Sequence, residues 1–282
     1  MLIAALTLLL VPSHPRAQEP SQGEETQQVE VTYLANAGFL IRSGSHSFLI
    51  DAFVPQEIEG LDSLDSAVRK KLLAGKAPFD LQTISLTSHA HPDHFKAPFA
   101  HRALTLNPKI KIISSEEVLR ALAQGGKNWD RIGHRAAAFQ RNENNKPKPF
   151  LGGKQDISIQ FLDLPHVKVP EEAIENIGHL VRIADFKFIH LGDAAPDFRA
   201  FKELKLKGRK IDVAFVPYWF YASEEGTKII DKAIRANHVI VYHIPTKDKV
   251  GFTARLKEAN PNALFFENKM DRKIFEVAKR SE

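Results

Sequence analysis

Cysteine is absent from the 282 residues. Disulfides and thiolate metal sites are thereby excluded, as is a lipid anchored through cysteine, although the absence does not by itself assign a compartment. Also lacking are internal repeats, an arginine-rich arm and any nucleic-acid-binding module. The net charge of +5 and pI of about 9.2 come from scattered lysines and arginines. They describe a solvated basic surface rather than a nucleic-acid partner. No apolar run is long enough to span a bilayer. The longest, residues 1–11 (MLIAALTLLLV), is the length of a secretory-signal core. Residues 12–17 would then hold the cleavage region, with Ala17 the last residue removed. No Lys or Arg precedes the run, and Pro15 breaks the small-x-small pattern. The expectation is an exported chain, periplasmic or secreted, with no transmembrane span once mature. The rival readings are an uncleaved anchor or, without a true signal, a cytoplasmic protein.

What is present is ordinary for a globular protein: 43% apolar and 26% charged residues, in a length able to bury one large core or two modest ones. Residues 18–28 are polar, lack periodicity and read as a linker. A single domain is expected over 29–282. Strands are expected at 29–34, 38–43, 46–51 and 81–87, from alternating or β-branched runs punctuated by turn residues. Further strands are expected at 110–113, 157–164, 177–183, 186–191, 211–216, 238–242 and 263–266. Helices are expected at 61–76, after Lys96, and at 118–123, the last opened by a capping box of Ser114 and Glu117. Others are expected at 198–206, 229–236, 251–260 and 271–280. Residues 125–153 read as a polar loop. Two groups of strands, each with helices, are compatible with two sheets packed face to face.

The chemistry concentrates in Ser88-His89-Ala90-His91-Pro92-Asp93-His94, where a strand ends and a helix is about to begin. In an extended start, His89 and His91 point to the same side. After the bend, Asp93 and His94 can aim at a second point. Imidazole and carboxylate are the usual ligands of zinc and similar ions, so each pair makes half of a metal site. His166, Asp193 and His243 each follow an expected strand, and strand ends converge on one edge of a sheet. They are the candidates to complete both sites, with His238 the weaker competitor of His243. Asp51 ends its strand either as a turn residue or as a support of the metal loop. His179 and His190 are candidates to line a substrate pocket or to orient a ligand, or are plain structural histidines. The aromatic run Tyr218-Trp219-Phe220-Tyr221 offers Trp219 as an apolar pocket wall; the other reading is a buried cluster pinning the next helix.

The His-x-His-x-Asp-His motif resembles that of the metallo-β-lactamase superfamily. The resemblance covers nearly the whole chain after residue 28 and implies a four-layer αββα sandwich. It also implies two divalent metal ions: one held by His89, His91, His166 and Asp193, the other by Asp93, His94, Asp193 and His243. Zinc suits these donors best; manganese and iron also take imidazole and carboxylate. Residues 33–41 (YLANAGFLI), the long path from His166 to Asp193 and His190-Leu191-Gly192-Asp193 are similar to the branch of ascorbate-6-phosphate lactonase and N-acyl-phosphatidylethanolamine phospholipase D. At the third histidine this chain has Pro165-His166-Val167, where many relatives have Gly-His-Thr. Ala90 stands where oxygen-reducing di-iron relatives carry Glu, which favours hydrolysis. The expected function is hydrolysis of an ester, lactone or phosphodiester in a small-molecule or lipid substrate by a metal-activated hydroxide, with Asp93 the catalytic carboxylate. The alternative is an exported, non-catalytic metal- or ligand-binding protein of the same fold.

Overall fold

The computed structural model describes residues 26–278 apart from 55–56, 144–145, 147, 152–155 and 168–173. The expected signal and most of the linker lie outside the described residues. The first half of the chain gives β1 (Thr26–Ala35), β2 (Gly38–Ser43), β3 (His46–Ile50), β4 (Gln82–Leu86), β5 (Ile110–Ser114) and β6 (Ala136–Ala138). The second gives β7 (Phe150–Leu151), β8 (Ile157–Asp163), β9 (Ile177–Ile183), β10 (Phe186–His190), β11 (Val213–Pro217), β12 (His238–Tyr242), β13 (Ala263–Leu264) and β14 (Arg272–Ala278). They form two seven-stranded sheets, ordered β14-β1-β2-β3-β4-β5-β6 and β13-β12-β11-β10-β9-β8-β7.

Both sheets are covered on both faces, so their central strands are apolar throughout. In β11, Val213 and Phe215 enter the core between the sheets, while Ala214 and Val216 face the helices of the second sheet. In β2, Phe39 and Ile41 face inward and Leu40 outward. The outer layer on the first sheet comprises α1 (Ser66–Leu73), α2 (Ala97–Leu106), α3 (Glu116–Gln124) and α4 (Trp129–Ile132). On the second it comprises α5 (Phe198–Glu203), α6 (Glu224–Lys228) with its π-helical continuation Ile229–Ile234, and α7 (Lys249–Ala259). Three apolar layers between four structural ones are the expected αββα sandwich.

Three expectations change. Within the expected helix 271–280, residues 272–278 form a strand: β14 pairs antiparallel with β1, Thr26 opposite Ala278, so β1 also includes Thr26–Gln28, ahead of the expected start at Val29. The segment 125–153 contains α4, a 3-10 turn at Gly133–Arg135, β6 and β7 rather than loop alone. And α3 is capped by Ser115, whose hydroxyl accepts from Val118 N at 3.3 Å. Ser114 instead closes β5 and donates to Thr87 O at 2.8 Å.

Strand direction sets where function can gather. β3, β4 and β5 are parallel, as are β10, β11, β12 and β13. β2 and β9 run against their neighbours β3 and β10. The loops after β3, β4, β8, β10 and β12, and the β1–β2 turn, therefore emerge at one end of the sandwich. Backbone bonds cross between the sheets there, such as Ile177 N to Ser88 O at 3.0 Å.

Candidate metal centre

At that end, the segment after β4 leaves the sheet and turns. His94 N and Phe95 N close the turn on His91 O at 3.0 and 2.8 Å. His89 and His94 are buried, while His91 and Asp93 are half-buried. The second sheet brings His166, Asp193 and His243 against them. The donor atoms fall into two clusters, His89–His91–His166 and Asp93–His94–Asp193–His243, within each of which all lie within 4.8 Å of one another. Thus all seven residues read from the sequence as ligands meet. His238 does not; its ring lies by Phe275, 5.1 Å between centroids.

The hydrogen bonds show which nitrogens face inward. Asp51, fully buried at the end of β3, accepts from Ser88 N at 2.7 Å, Ser88 Oγ at 2.6 Å and His94 Nδ1 at 2.8 Å. Having donated to Asp51, Ser88 Oγ accepts from His89 Nδ1 at 2.9 Å. His166 Nδ1 donates to Val167 O. With these Nδ1 protons spent, the Nε2 lone pairs of His89, His94 and His166 point into the clusters. His89 Nε2 lies 3.0 Å from His91 Nδ1 and 3.4 Å from His166 Nε2. His94 Nε2 lies 3.1 Å from Asp193 Oδ1, and among the described residues neither buried atom has a hydrogen-bond partner. Lone pairs facing lone pairs and carboxylates are repulsive unless a cation sits among them, so the donor set fits divalent metal.

The electrostatics agree. Burial pushes the Asp51 carboxyl up, but His94, and then His190 and His89, together more than offset this and hold it at about 2. Burial likewise opposes charge on His243, yet Asp193 and then Asp93 raise it to about 9. His94 is raised well above its ordinary value despite burial, by Asp193 and Asp51. Protons drawn onto His94 and His243 take the place that a cation would fill.

Strain accompanies the site. Asp51 and His243 adopt φ of 43° and 62°, and Asn36 in the β1–β2 turn 47°, a region non-glycine residues seldom occupy. Gly192, with φ +57°, leaves no room for a side chain: an added Cβ would meet Asn176 Oδ1 at 2.2 Å. That Asn176 Oδ1 accepts from Asp193 N at 2.9 Å and so sets the Asp193 turn. Asn36 Nδ2 donates to Asp93 O and Oδ2, both at 3.2 Å, and Asn36 O accepts from His243 N at 3.5 Å. Ser88, Asn36 and Asn176 were missed by sequence reasoning. Only adjacency to a ligand or to a turn glycine signals them.

The other candidates divide. His190 is a correction: with no exposure it lines no pocket. Its Nε2 donates to Ala37 O at 3.1 Å and its Nδ1 accepts from Gly192 N at 3.1 Å, while the ring stacks on Tyr242. Burial holds it neutral, at about 4. His179 is likewise fully buried in the sandwich and faces no substrate. Trp219 is half-buried, with its ring 5.2 Å from that of His243 and Nε1 donating to Ala194 O at 2.9 Å. Its neighbour Phe220 is in the core against Phe201, so that part of the aromatic run packs as a buried cluster.

The family model described as a beta-lactamase superfamily domain matches residues 35–260. No curated protein matches the chain. Among solved structures, a metallo hydrolase from the hyperthermophilic archaeon Ignicoccus hospitalis is similar at TM-score 0.57 and 17% identity, over 89% of this chain and 99% of that one. The metallo-beta-lactamase fold protein YhfI from Bacillus subtilis is similar at 0.58 and 16%, over 89% and 100%. CmlA, a diiron beta-hydroxylase from Streptomyces venezuelae, is similar at 0.51 and 13%, over 92% of this chain and 55% of its own. At these identities the likeness is one of fold.

Proposed function

This chain belongs to the metallo-β-lactamase superfamily, and from that premise we propose that it is a metal-dependent hydrolase of an ester, lactone or phosphodiester in a small-molecule or lipid substrate. The observation that carries the reading is the pair of adjoining clusters, with inward lone pairs and two orphaned buried atoms, His94 Nε2 and Asp193 Oδ1. His89, His91, His166 and Asp193 would hold one cation; Asp93, His94, Asp193 and His243 would hold the other. Two such ions, zinc by preference, supply Lewis acidity at the scissile oxygen and a water whose pKa is brought to roughly 7.

The remaining work falls to the chain. Asp51 fixes His94 directly and His89 through Ser88. Asn36 steadies Asp93, whose carboxylate orients the attacking water and passes a proton to the leaving group. Ala90 places no carboxylate between His89 and His91, which favours hydrolysis over the oxygen chemistry of a diiron site. The similarity of residues 33–41 to the lactonase and phospholipase D branch supports testing lactones and phosphodiesters first.

The test is a panel of lactones, phosphodiesters and esters, assayed alongside metal analysis of protein purified without added metal. Two ions per chain with turnover of one class is the expected result. Under one ion per chain, with no uptake on titration, would overturn the two-metal reading. Metal or ligand binding without turnover would assign the non-catalytic binding protein. Trp219 supplies the apolar wall beside His243. Trp219→Ala is expected to raise KM or lower kcat with metal content and Tm nearly unchanged; a large fall in Tm with unchanged kinetics would assign it to the core.

A further inference from the structure

A second constellation lies outside the metal-ligand cluster, in a cleft of about 500 Å3 between α1 and α2 on the outer face of the first sheet. Its charged lining is entirely cationic: Arg69 and Lys70 from α1, Lys96 at the N-cap of α2, and Arg102 from α2. Helical spacing puts Ser66, Arg69 and Lys70 on one wall, with Phe99 and Arg102 opposite. Among the described residues none of the four cations has an ion-pair partner. Two acids at the α1 end are engaged elsewhere, Asp65 with Lys269 at 2.5 Å and Asp62 with Lys249 at 2.7 Å. Neither helix has an acid in its first turn.

Arg69 forms the floor. Its guanidinium lies 3.7 Å from the Phe99 ring centroid, and Nη1 donates to Val54 O at 2.7 Å. That uses one of five N–H donors of the planar fork. Burial, and then the charge of Arg102, lower its pKa. Like charges held this close by two helices repel, and a bound anion would turn that repulsion into attraction.

We propose that the cleft binds a phosphate group, as the free ion, as a phosphate monoester or as an anionic lipid headgroup. A phosphate offers up to two charges and several acceptors to four cations, and the arginine fork matches it in geometry. A carboxylate would leave most of the positive charge unanswered. This inference is independent of the reaction at the metal cluster.

The experiment is isothermal titration of the metal-loaded full chain with inorganic phosphate, beside the Lys70→Gln/Arg102→Gln double variant. Both side chains are exposed, so the variant should keep its Tm and metal content. Any uptake at the metal cluster would appear in both proteins. The expected result is a phosphate site of roughly millimolar affinity or tighter, weakened about tenfold or more in the variant. A parallel arm uses sedimentation with phosphatidylglycerol and phosphatidylcholine vesicles. Binding to the former alone, lost in the variant, assigns the headgroup; phosphate uptake without vesicle binding assigns a soluble phosphate. Identical isotherms and identical sedimentation for the two proteins would overturn the proposal, as would no binding to either probe.

Discussion

Asp51 touches no other candidate ligand except His94, yet it fixes the ring of His94 directly and that of His89 through Ser88. Asp51→Asn puts an amide where one carboxylate oxygen now takes two donors. Metal affinity is expected to fall about 10–100-fold, read by retention of metal against a competing chelator; retention equal to the wild type would reduce Asp51 to a turn residue. His179 behaves differently. Its ring is fully buried, neither nitrogen has a partner among the described residues, and burial holds its pKa at about 3. In the unfolded chain the value is about 6.5. Above that pH neither state binds the proton and the fold keeps its full stability. Below it the unfolded chain takes up a proton that the folded chain refuses, so stability falls towards pH 3, by roughly 5 kcal/mol in total. Urea unfolding across this range should therefore show a shallower decline for His179→Leu than for the wild type, and parallel curves would refute the assignment. At this scale the ligands were legible because the metal motif and the strand-end His166, Asp193 and His243 signal themselves locally. Of their orienting partners only Asp51 was, as one of two readings; Ser88, Asn36 and Asn176 were not. A serine or asparagine declares such a role only through where its neighbours fold.

Among elements, β14 was the one misread outright. Ile274, Phe275, Val277 and Ala278 have helical spacing, but burial runs with period two: Phe275 and Val277 are inside, while Ile274 is 63% exposed. What decides is the free edge of β1, some 240 residues away in sequence and invisible to any local pattern. Phe275→Ala should cost about 3 kcal/mol or more, and Ile274→Ala less than about 0.5, measured by urea unfolding. A helix presenting both residues to the core would make the two losses comparable. The short elements β6, β7 and α4 escaped notice for another reason: two to four residues carry no period to detect. The long central strands, apolar on both faces, were read nearly to their ends.

Over the whole molecule, the first sheet supplies His89, His91, Asp93 and His94, and the second supplies His166, Asp193 and His243. Removing metal should therefore loosen the junction between the halves as well as abolish turnover. Scanning calorimetry after chelation is expected to show a lowered Tm, recovered on adding back divalent metal, since a ligand that binds only the folded state stabilises it. An unchanged Tm would mean that the sheets hold together without help. The division of donors has a temporal side as well. His243 is the last of them to leave the ribosome, and a chain that ends after β6 offers four of the seven donors and lacks Asp193. Metal uptake by the full donor set would then work as a roll-call of the finished protein. Truncated or half-docked chains fail to answer it, because neither brings the two clusters of donors together.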